Sequence, residues 1–168
     1  MRRVQSIAAV VLVGLAIAAC SGMPDELKLA NAIEPPVYGS LPSEKLLDKG
    51  KEHYQNGDYG LAESAFRKAI EEDRNNSDAW LGLAASYDRL RRFDLAERAY
   101  RVLTRLAGRT PVVLNNMGYH YILRGDYASA RRMLAAAQQA EPDNAFVQNN
   151  LSLLGEAESG KAYRPAGG

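Results

Sequence analysis

The chain has 168 residues, of which 46% are hydrophobic and 24% charged, and its formal net charge is +1 at pH 7. This near-neutral charge gives no general attraction to nucleic acid, because such binding depends on neutralising phosphates with lysine and arginine. The single cysteine cannot form an intramolecular disulfide, so a fold held together by disulfides is excluded.

The chain opens with the charge and hydropathy order of an export signal. Arg2 and Arg3 come first, and a mostly apolar block of 16 residues runs from Val4 to Ala19. This block is shorter than the roughly 20 apolar residues that span a bilayer as a helix. We expect residues 1–19 to be a cleaved signal peptide. Its removal would change the formal net charge from +1 to −1, because it contains two of the 21 basic residues and none of the 20 acidic residues.

The only cysteine follows this block directly. Ile17, Ala18, Ala19 and Cys20 resemble the lipobox of bacterial lipoproteins, in which the cysteine is acylated and becomes the first residue of the mature protein. The resemblance implies a covalent lipid with acyl chains such as palmitate, and two or three chains hold a protein durably on a membrane. Two alternatives stay open: a secretory signal with an incidental cysteine, and an uncleaved anchor. Ser21 is similar to the residue that goes with outer-membrane sorting in such lipoproteins, so we expect anchoring at the periplasmic face of the outer membrane.

A proline-rich segment separates this lipid site from the rest of the chain. Residues 20–42 contain four prolines and two glycines and lack sustained helical periodicity, although Asp25 to Ile33 allow a short helix. A flexible linker of this length reaches roughly 25 Å, and its prolines stiffen it. We therefore predict that residues 20–42 are a lipidated N-terminus and tether that holds a small domain close to the membrane.

Beyond residue 42 the sequence repeats itself at a spacing of 34 residues. Residues of similar size recur in three copies, as in Leu46, Trp80 and Leu114. In the second copy Trp80, Ala84 and Tyr87 fall at i, i+4 and i+7, which is one face of a helix. This pattern predicts a core position for Trp80. Further aligned sets are Tyr59, Phe93 and Tyr127; Ala62, Ala96 and Ala130; Phe66, Tyr100 and Leu134; and Gly50, Ala84 and Gly118.

The same pattern predicts two antiparallel helices in each copy. Small residues at matching positions, Ala84 with Ala96 and Gly118 with Ala130, would let the paired helices approach closely. Turn chemistry agrees, because Gly108 favours a helix end and is soon followed by a threonine and a proline that favour a helix start. An all-α fold is therefore expected.

These residues and their 34-residue period resemble the tetratricopeptide repeat (TPR), a helix-turn-helix unit. The resemblance implies an α-α superhelix, a TPR solenoid of three helix-turn-helix repeats. An apolar stripe at Val147, Leu151 and Leu154 adds a C-terminal cap helix, which makes seven helices in all. We place the TPR domain at residues 43–158, with repeats at about 43–76, 77–110 and 111–144, a cap helix at 144–158 and a flexible tail at 159–168.

The sequence offers little chemistry for catalysis or metal binding. Its two histidines, His53 and His120, occupy different positions of the repeat, so each is interpreted as a packing or surface residue. There is no nucleophile elbow, glycine-rich phosphate loop or pair of carboxylates in an apolar setting. We expect no enzyme activity, no metal and no cofactor beyond the covalent lipid on Cys20.

The resemblance implies that the first helix of each repeat lines a concave groove that binds a protein or peptide. Asn115 and Asn116 return as Asn149 and Asn150 after one repeat length, and such amides can pair with a peptide backbone. The alternative is that the asparagines bond to neighbouring turns and that the apolar groove residues are covered by the tether or the tail. The predicted groove residues are Leu81, Ala85, Arg89, Asn115, Asn116, Tyr119, Ile122, Leu123, Phe146, Asn149, Asn150 and Leu153, with apolar pockets at Tyr119, Ile122, Phe146 and Leu153.

Basic residues are distributed unevenly over the two faces of this predicted domain. Lys51 and Arg89 are the only cations of the groove, so a clamp for a C-terminal carboxylate, known from chaperone-binding relatives, is not expected. The convex side is interpreted as a solvated face, with contact to an acidic partner as the alternative. Its arginines are Arg91, Arg92, Arg98, Arg101, Arg105 and Arg109, interleaved with Asp94 and Glu97.

A final resemblance concerns function. Residues 115–119 and 123–127, behind a lipoprotein signal, are similar to the TPR lipoproteins of tight-adherence (Tad/Flp) pilus assembly. This implies a non-catalytic adaptor, membrane-anchored in the periplasm, that binds a secretin or pilus-assembly component. The alternative is a TPR scaffold or regulator of peptidoglycan enzymes of the cell envelope. The oligomeric state stays open.

Overall fold

A computed structural model describes residues 41–160, in which seven α-helices and no strands form. The predicted signal peptide, Cys20, the tether up to residue 40 and the tail from residue 161 lie outside the described residues, so they stay predictions. The helices are α1 (Ser43–Gln55), α2 (Tyr59–Glu72), α3 (Ser77–Arg89), α4 (Phe93–Ala107), α5 (Pro111–Arg124), α6 (Tyr127–Ala140) and α7 (Ala145–Glu158). The predicted all-α fold of three helix-turn-helix repeats and a cap helix is confirmed.

Side chains at the helix starts explain why the later helices begin where they do. The Asn76 side chain accepts a hydrogen bond from the Ala79 amide at 3.0 Å, which satisfies one free donor of the first turn of α3. Thr110 accepts from the Val113 amide at 3.4 Å ahead of α5, whose first residue is Pro111. These caps set the repeat boundaries that the sequence predicts.

The turn inside each repeat requires one residue in the left-handed backbone region. Gly57 and Gly125 occupy this position in the first and third repeats, with φ of 83° and 78°. In the second repeat the equivalent residue is Arg91, with φ of 57°. A side chain in this region costs about 1–2 kcal/mol relative to glycine, so the second turn is the strained one.

The helices contact one another in a pattern that curves the stack. The first helices of successive repeats touch, since α1 contacts α3, α3 contacts α5 and α5 contacts α7. The second helices α2, α4 and α6 each pack on the next first helix but do not contact one another. Within residues 41–160 the first helices therefore form the concave wall and the second helices form the convex wall.

Close helix approach depends on glycines that face large side chains. A Cβ atom added at Gly50 would lie 2.5 Å from the Phe66 ring, and one added at Gly82 would also clash with that ring. At Gly118 the nearest atoms belong to Leu134, at 2.5 Å, rather than to the predicted Ala130. The small residues thus accept a large side chain from the paired helix, and Phe66 fills the space between the first two repeats.

Trp80 differs from its predicted core position. It lies in the first turn of α3, where its indole is only half-buried and packs against the edge of the main core cluster. Its Nε1–H donates to the Arg74 carbonyl at 2.9 Å, because an indole donor near the surface takes an available backbone acceptor. One side of the ring faces the convex surface.

Candidate protein-binding groove

Two neighbouring cavities lie along the concave wall and meet at Asn116. The first has a volume of about 320 Å³ and the second about 330 Å³. The first is lined by Lys51, Tyr54, Gln55, Phe66, Asp78, Leu81, Gly82, Ala85 and Asn116. The second is lined by Val112, Asn115, Asn116, Asn144 and Phe146. We call these the first and second groove cavities.

The first groove cavity has an apolar lining and a charged rim. Gly82 lacks a Cβ atom, so the Phe66 ring reaches the cavity beneath Leu81. At the rim, the Lys51 Nζ atom lies 3.7 Å from the Asp78 Oδ2 atom, and both side chains are at least half exposed. The cavity can therefore accept an apolar side chain, while the rim presents balanced rather than net positive charge.

Tyr54 gives this cavity a polar group that stays protonated. Burial raises the pKa of its hydroxyl to about 12, with the nearby Arg89 guanidinium opposing that rise. Its ring meets Tyr59 edge-on at a centroid distance of 5.2 Å, which orients it. At neutral pH the hydroxyl can both donate and accept a hydrogen bond.

The second groove cavity lies where α5 and α7 begin. Val112 is 50% exposed and Phe146 is 73% exposed, so two large apolar side chains stand open at this end. Phe146 is a predicted pocket residue and Val112 occupies the same repeat position one copy earlier. An apolar segment lying along the groove would cover both.

The asparagines between the two cavities are partly used within the fold. The Asn116 side-chain amide donates to the Val112 carbonyl at 2.8 Å, one turn back in α5. The Asn150 amide donates to the Asn115 Oδ1 atom at 3.0 Å and so joins α7 to α5. Asn149 is exposed. The predicted asparagine ladder therefore supports the domain as well as lining the groove.

Several predicted groove residues lie elsewhere. Ile122 is only 4% exposed and packs in the core with Ala130 and Leu134. Its prediction as an open pocket residue is wrong. Leu153 is half-buried against the same cluster. Ile122 and Leu123 both line a separate cavity at the other end of α5, outside the two groove cavities.

The remaining predicted residues stay on or near the concave wall. Leu81 and Ala85 line the first groove cavity. The Arg89 guanidinium lies 4.6 Å from the centre of the Tyr59 ring, so this cation is stacked on an aromatic face. Tyr119 is half-buried on α5. Neither predicted groove cation is thus arranged to hold a carboxylate by itself.

Tyr54 and Gln55 are cavity residues that the sequence interpretation missed. They occupy the same repeat positions in α1 as Asp88 and Arg89 occupy in α3. The register finds Gln55, since Arg89 at the equivalent position also lies near the concave wall. It does not find Tyr54, since the equivalent residues Asp88 and Ile122 are buried.

A buried polar cluster joins the second and third repeats. Asp88 is 2% exposed and His120 is 1% exposed. The Asp88 carboxylate accepts from the Tyr100 hydroxyl at 3.0 Å, and its other oxygen lies 2.6 Å from the His120 Nδ1 atom. Burial, followed by the negative charge of Asp88, raises the pKa of the Tyr100 hydroxyl well above its ordinary value. Asp88 is therefore a core residue rather than part of the groove surface.

This cluster is closed to ligands and acts as a structural joint. The rings of Phe93, Tyr100 and Tyr121 surround His120 at centroid distances of 6.1, 5.4 and 5.1 Å. Its Nε2 atom is buried and has no hydrogen-bond partner within the part of the chain that the structure describes.

Residues 41–160 also contain no group of histidine, cysteine and carboxylate side chains arranged to hold a metal. None of the helices in the same range is long and apolar enough to cross a membrane.

The chain is similar to known proteins both in sequence and in structure. Residues 47–109 match the tetratricopeptide repeat family. The first TPR domain of Spaghetti (RPAP3), bound to an HSP90 peptide, is 21% identical with a TM-score of 0.62, over 72% of this chain and 96% of that one. The Yersinia enterocolitica type III secretion chaperone SycD, in complex with a peptide of the translocator YopD, is 23% identical with a TM-score of 0.60, over 71% and 94%.

A bacterial structure of greater length also matches. Pseudomonas aeruginosa pilF is 28% identical with a TM-score of 0.61, and the alignment covers 71% of this chain but 54% of pilF. No curated protein matches the chain. The described residues have the TPR solenoid fold, and two of the three similar structures were determined with a peptide bound.

Proposed function

We propose that this TPR-fold chain is a non-catalytic adaptor that holds an extended segment of a partner protein in its concave groove. The observation that carries the proposal is the pair of groove cavities that meet at Asn116 along the first-helix wall. Peptide complexes of structures with the same fold support it. An apolar side chain of the partner would enter the first groove cavity, and a second would cover Phe146.

The groove favours an internal segment of the partner over a free C-terminus. Lys51 is close to Asp78, and Arg89 is stacked on Tyr59, so a terminal carboxylate would have to compete with contacts already made. The Tyr54 hydroxyl and the Asn116 side-chain Oδ1 atom offer hydrogen bonds to a peptide backbone. Binding would therefore depend on apolar contact first and hydrogen bonding second.

We further propose that the adaptor is anchored through a lipid on Cys20 at the periplasmic face of the outer membrane. There it would assist assembly of a Tad/Flp-type pilus or a secretin complex. The lipobox-like residues 17–20 and the repeat residues 115–127 support this setting. The tether, with a mean reach of roughly 25 Å, would hold the domain close to the membrane.

Deletion and complementation in the parent bacterium test the proposal. Deleting the gene should abolish surface pili and leave pilin synthesis intact. Wild-type chain should restore pili, whereas Leu81→Asp, which places a charge in the first groove cavity, should not. Leu106→Asp is the matched control, since Leu106 is already 40% exposed and lines neither groove cavity.

The lipid anchor has its own test in the same strain. Cys20→Ser should abolish incorporation of radiolabelled fatty acid into the protein and move it from the membrane to the soluble periplasmic fraction. An unchanged lipid signal would reject the anchor. Normal piliation in the deletion strain would reject the pilus role, and co-purification with peptidoglycan synthases or hydrolases would instead support the scaffold alternative.

A further inference from the structure

The convex wall carries a trough between α2 and α4, with a volume of about 650 Å³. Trp80, Leu83 and Tyr87 of α3 form its floor. Its apolar walls include Ile70 of α2 and Leu95 of α4. We call this surface the convex trough. It lies on the side opposite to the concave groove, because its walls are second helices.

The third repeat shows that solenoid packing does not require this apolar lining. Moving by one repeat length replaces Ile70 with Thr104 and Leu95 with Ser129. Leu95 is 38% exposed, whereas Ser129 is 8% exposed. The half-buried Trp80 is replaced by Leu114, which is only 5% exposed. At the Trp80 and Leu95 positions the first interval therefore exposes apolar surface that the second interval does not, and an exposed apolar patch is typical of an interaction site.

The rim of the convex trough is basic once its internal ion pairs are accounted for. Glu63 lies 2.5 Å from Arg92 and 3.8 Å from Arg67, so it is matched by two cations. Glu71 also lines the convex trough and pairs with Lys68 at 2.7 Å, so its charge is matched as well. The exposed Arg98 makes no ion pair with any of the described residues. A ligand with acidic groups at one edge could therefore form an ion pair with Arg98 at the rim of the convex trough.

The helical walls of the convex trough limit the backbone conformation of a peptide that can bind there. Both walls are α-helices, whose backbone donors and acceptors are already paired within the helix. The concave groove offers the side chains of Tyr54 and Asn116 to a peptide backbone, whereas the Trp80 Nε1–H on the floor of the convex trough already donates to the Arg74 carbonyl. An extended peptide lying in the convex trough would therefore bury amides without partners, which costs about 1–3 kcal/mol for each unsatisfied group. A helix satisfies its own backbone and offers an apolar stripe at i, i+3, i+4 and i+7.

We propose that the convex trough binds an acidic amphipathic helix of a partner protein. Its apolar stripe would pack on Trp80 and Leu95, and its acidic flank would face Arg98. This site is independent of the concave groove, so the chain would hold two different partner segments at once: an extended one on the concave wall and a helical one on the convex wall. Such an arrangement would let one adaptor bring two components together.

Trp80 is the only tryptophan in the chain, so its fluorescence reports directly on the convex trough. The probe is a tryptophan-free synthetic peptide of about four helical turns, with leucines at i, i+3, i+4 and i+7 and glutamates on the flanks. Titrating it into the full mature chain should give a saturable blue shift of the Trp80 emission. A peptide with lysines in place of the glutamates should bind at least about tenfold more weakly.

Charge-reversal variants at equivalent repeat positions provide the matched control. Arg98→Glu should weaken binding of the acidic peptide by about tenfold, while Arg132→Glu, one repeat length away, should leave it unchanged. Leu81→Asp in the concave groove should also leave it unchanged, which separates this proposal from the adaptor function. Far-ultraviolet circular dichroism would confirm that each variant is folded.

Four results would overturn the proposal. The first is no saturable shift with the acidic peptide, and the second is equal affinity for the lysine peptide. The third is equal loss of binding in Arg98→Glu and Arg132→Glu. The fourth is a blue shift that develops with protein concentration alone, together with a dimer mass in sedimentation, because the convex trough would then be covered by a second copy of the chain.

Discussion

The two joints between successive repeats use opposite chemistry at the same repeat position. Between the first and second repeats, the Phe66 ring packs against Gly50 and Gly82. Between the second and third repeats, the equivalent aromatic is Tyr100, whose hydroxyl donates to Asp88. The first joint is apolar and depends on close contact, whereas the second is a buried hydrogen-bonded cluster.

The difference shows how an aromatic position constrains its neighbours. Phe66 needs space, so the positions that face it are glycines. At the equivalent positions around Tyr100 the chain has Ala84 and Asn116, and the hydroxyl finds a partner in Asp88. Replacing one member of this cluster leaves the buried polar groups that it bonds without a partner, so the second joint tolerates fewer substitutions than an apolar one.

Removing the Phe66 ring should have the largest effect on the first joint. Phe66→Ala should lower the free energy of unfolding by roughly 3–5 kcal/mol, because it deletes a fully buried ring and leaves a cavity. Urea denaturation followed by circular dichroism measures this. Phe146→Ala is the control, since its ring is 73% exposed and its loss should change stability by about 0.5 kcal/mol or less. Equal losses of stability in Phe66→Ala and Phe146→Ala would show that the Phe66 ring does not hold the first two repeats together.

Removing the carboxylate should be the largest change at the second joint. Asp88→Ala leaves the Tyr100 hydroxyl and the His120 Nδ1 atom without their partner, which should cost roughly 3 kcal/mol. The exposed Asp78→Ala is the matched control and should cost far less. Asp88→Ala with the stability of the wild type would mean that the cluster does not hold the repeats together.

Adding one methyl group should distinguish a tight joint from an open position. Gly82→Ala should destabilise the domain by roughly 1–3 kcal/mol, because its Cβ atom has no room beside the Phe66 ring. Gly60→Ala in α2 has nothing within 4 Å of the new atom and should stabilise by up to about 1 kcal/mol. Thermal unfolding of the two variants should therefore shift in opposite directions. If the melting temperatures of both variants shifted in the same direction, Gly82 would not be in close contact with the Phe66 ring.

Alkaline pH should weaken the first repeat through Tyr54. Its folded-state pKa of about 12 lies above the ordinary value of 10.0, so the unfolded chain releases this proton first as the pH rises. The stabilisation is complete below pH 10 and is lost between pH 10 and about 12, at a cost of roughly 2 kcal/mol. Tyr54→Phe should lose less stability over this range in urea titrations. Identical pH profiles for both proteins would contradict a buried hydroxyl.

The smallest expected effect is an increase in the stability of the folded domain. Arg91→Gly should stabilise the second repeat by about 1 kcal/mol, because it places glycine at the left-handed position that Gly57 and Gly125 occupy in the other repeats. The loss of the guanidinium contact with Phe93, at 5.3 Å, reduces that gain. Differential scanning calorimetry measures it. A lower melting temperature would show that the arginine contact outweighs the backbone strain.

Periodicity predicted the helices because it depends on residue spacing alone. The 34-residue shift predicted the six helices of the three repeats, and the cap helix predicted at 144–158 from its own apolar stripe forms at Ala145–Glu158. Trp80 was misplaced because a face pattern does not say how far a helix end protrudes beyond its neighbours. The pattern also assigned Ile122 to the groove, although it packs in the core.

The buried cluster could not be predicted from the pattern for a different reason. Asp88, Tyr100 and His120 lie on three helices, and each alone reads as an ordinary polar or aromatic residue. Their burial depends on their convergence in space, which sequence spacing does not encode. The groove register, by contrast, follows from the repeat itself, so Leu81, Ala85 and Asn116 were found. Tyr54 was missed because its equivalent positions hold the buried Asp88 and Ile122.

The most direct test of the adaptor is site-specific photo-crosslinking from the groove in the parent bacterium. A photoreactive amino acid at position 81, in the first groove cavity, should give a discrete adduct with a secretin or pilus-assembly component. The same group at position 106, on exposed surface outside the groove, should give none. Adducts of equal yield at both positions, or an adduct at position 106 alone, would contradict the concave groove as the binding surface.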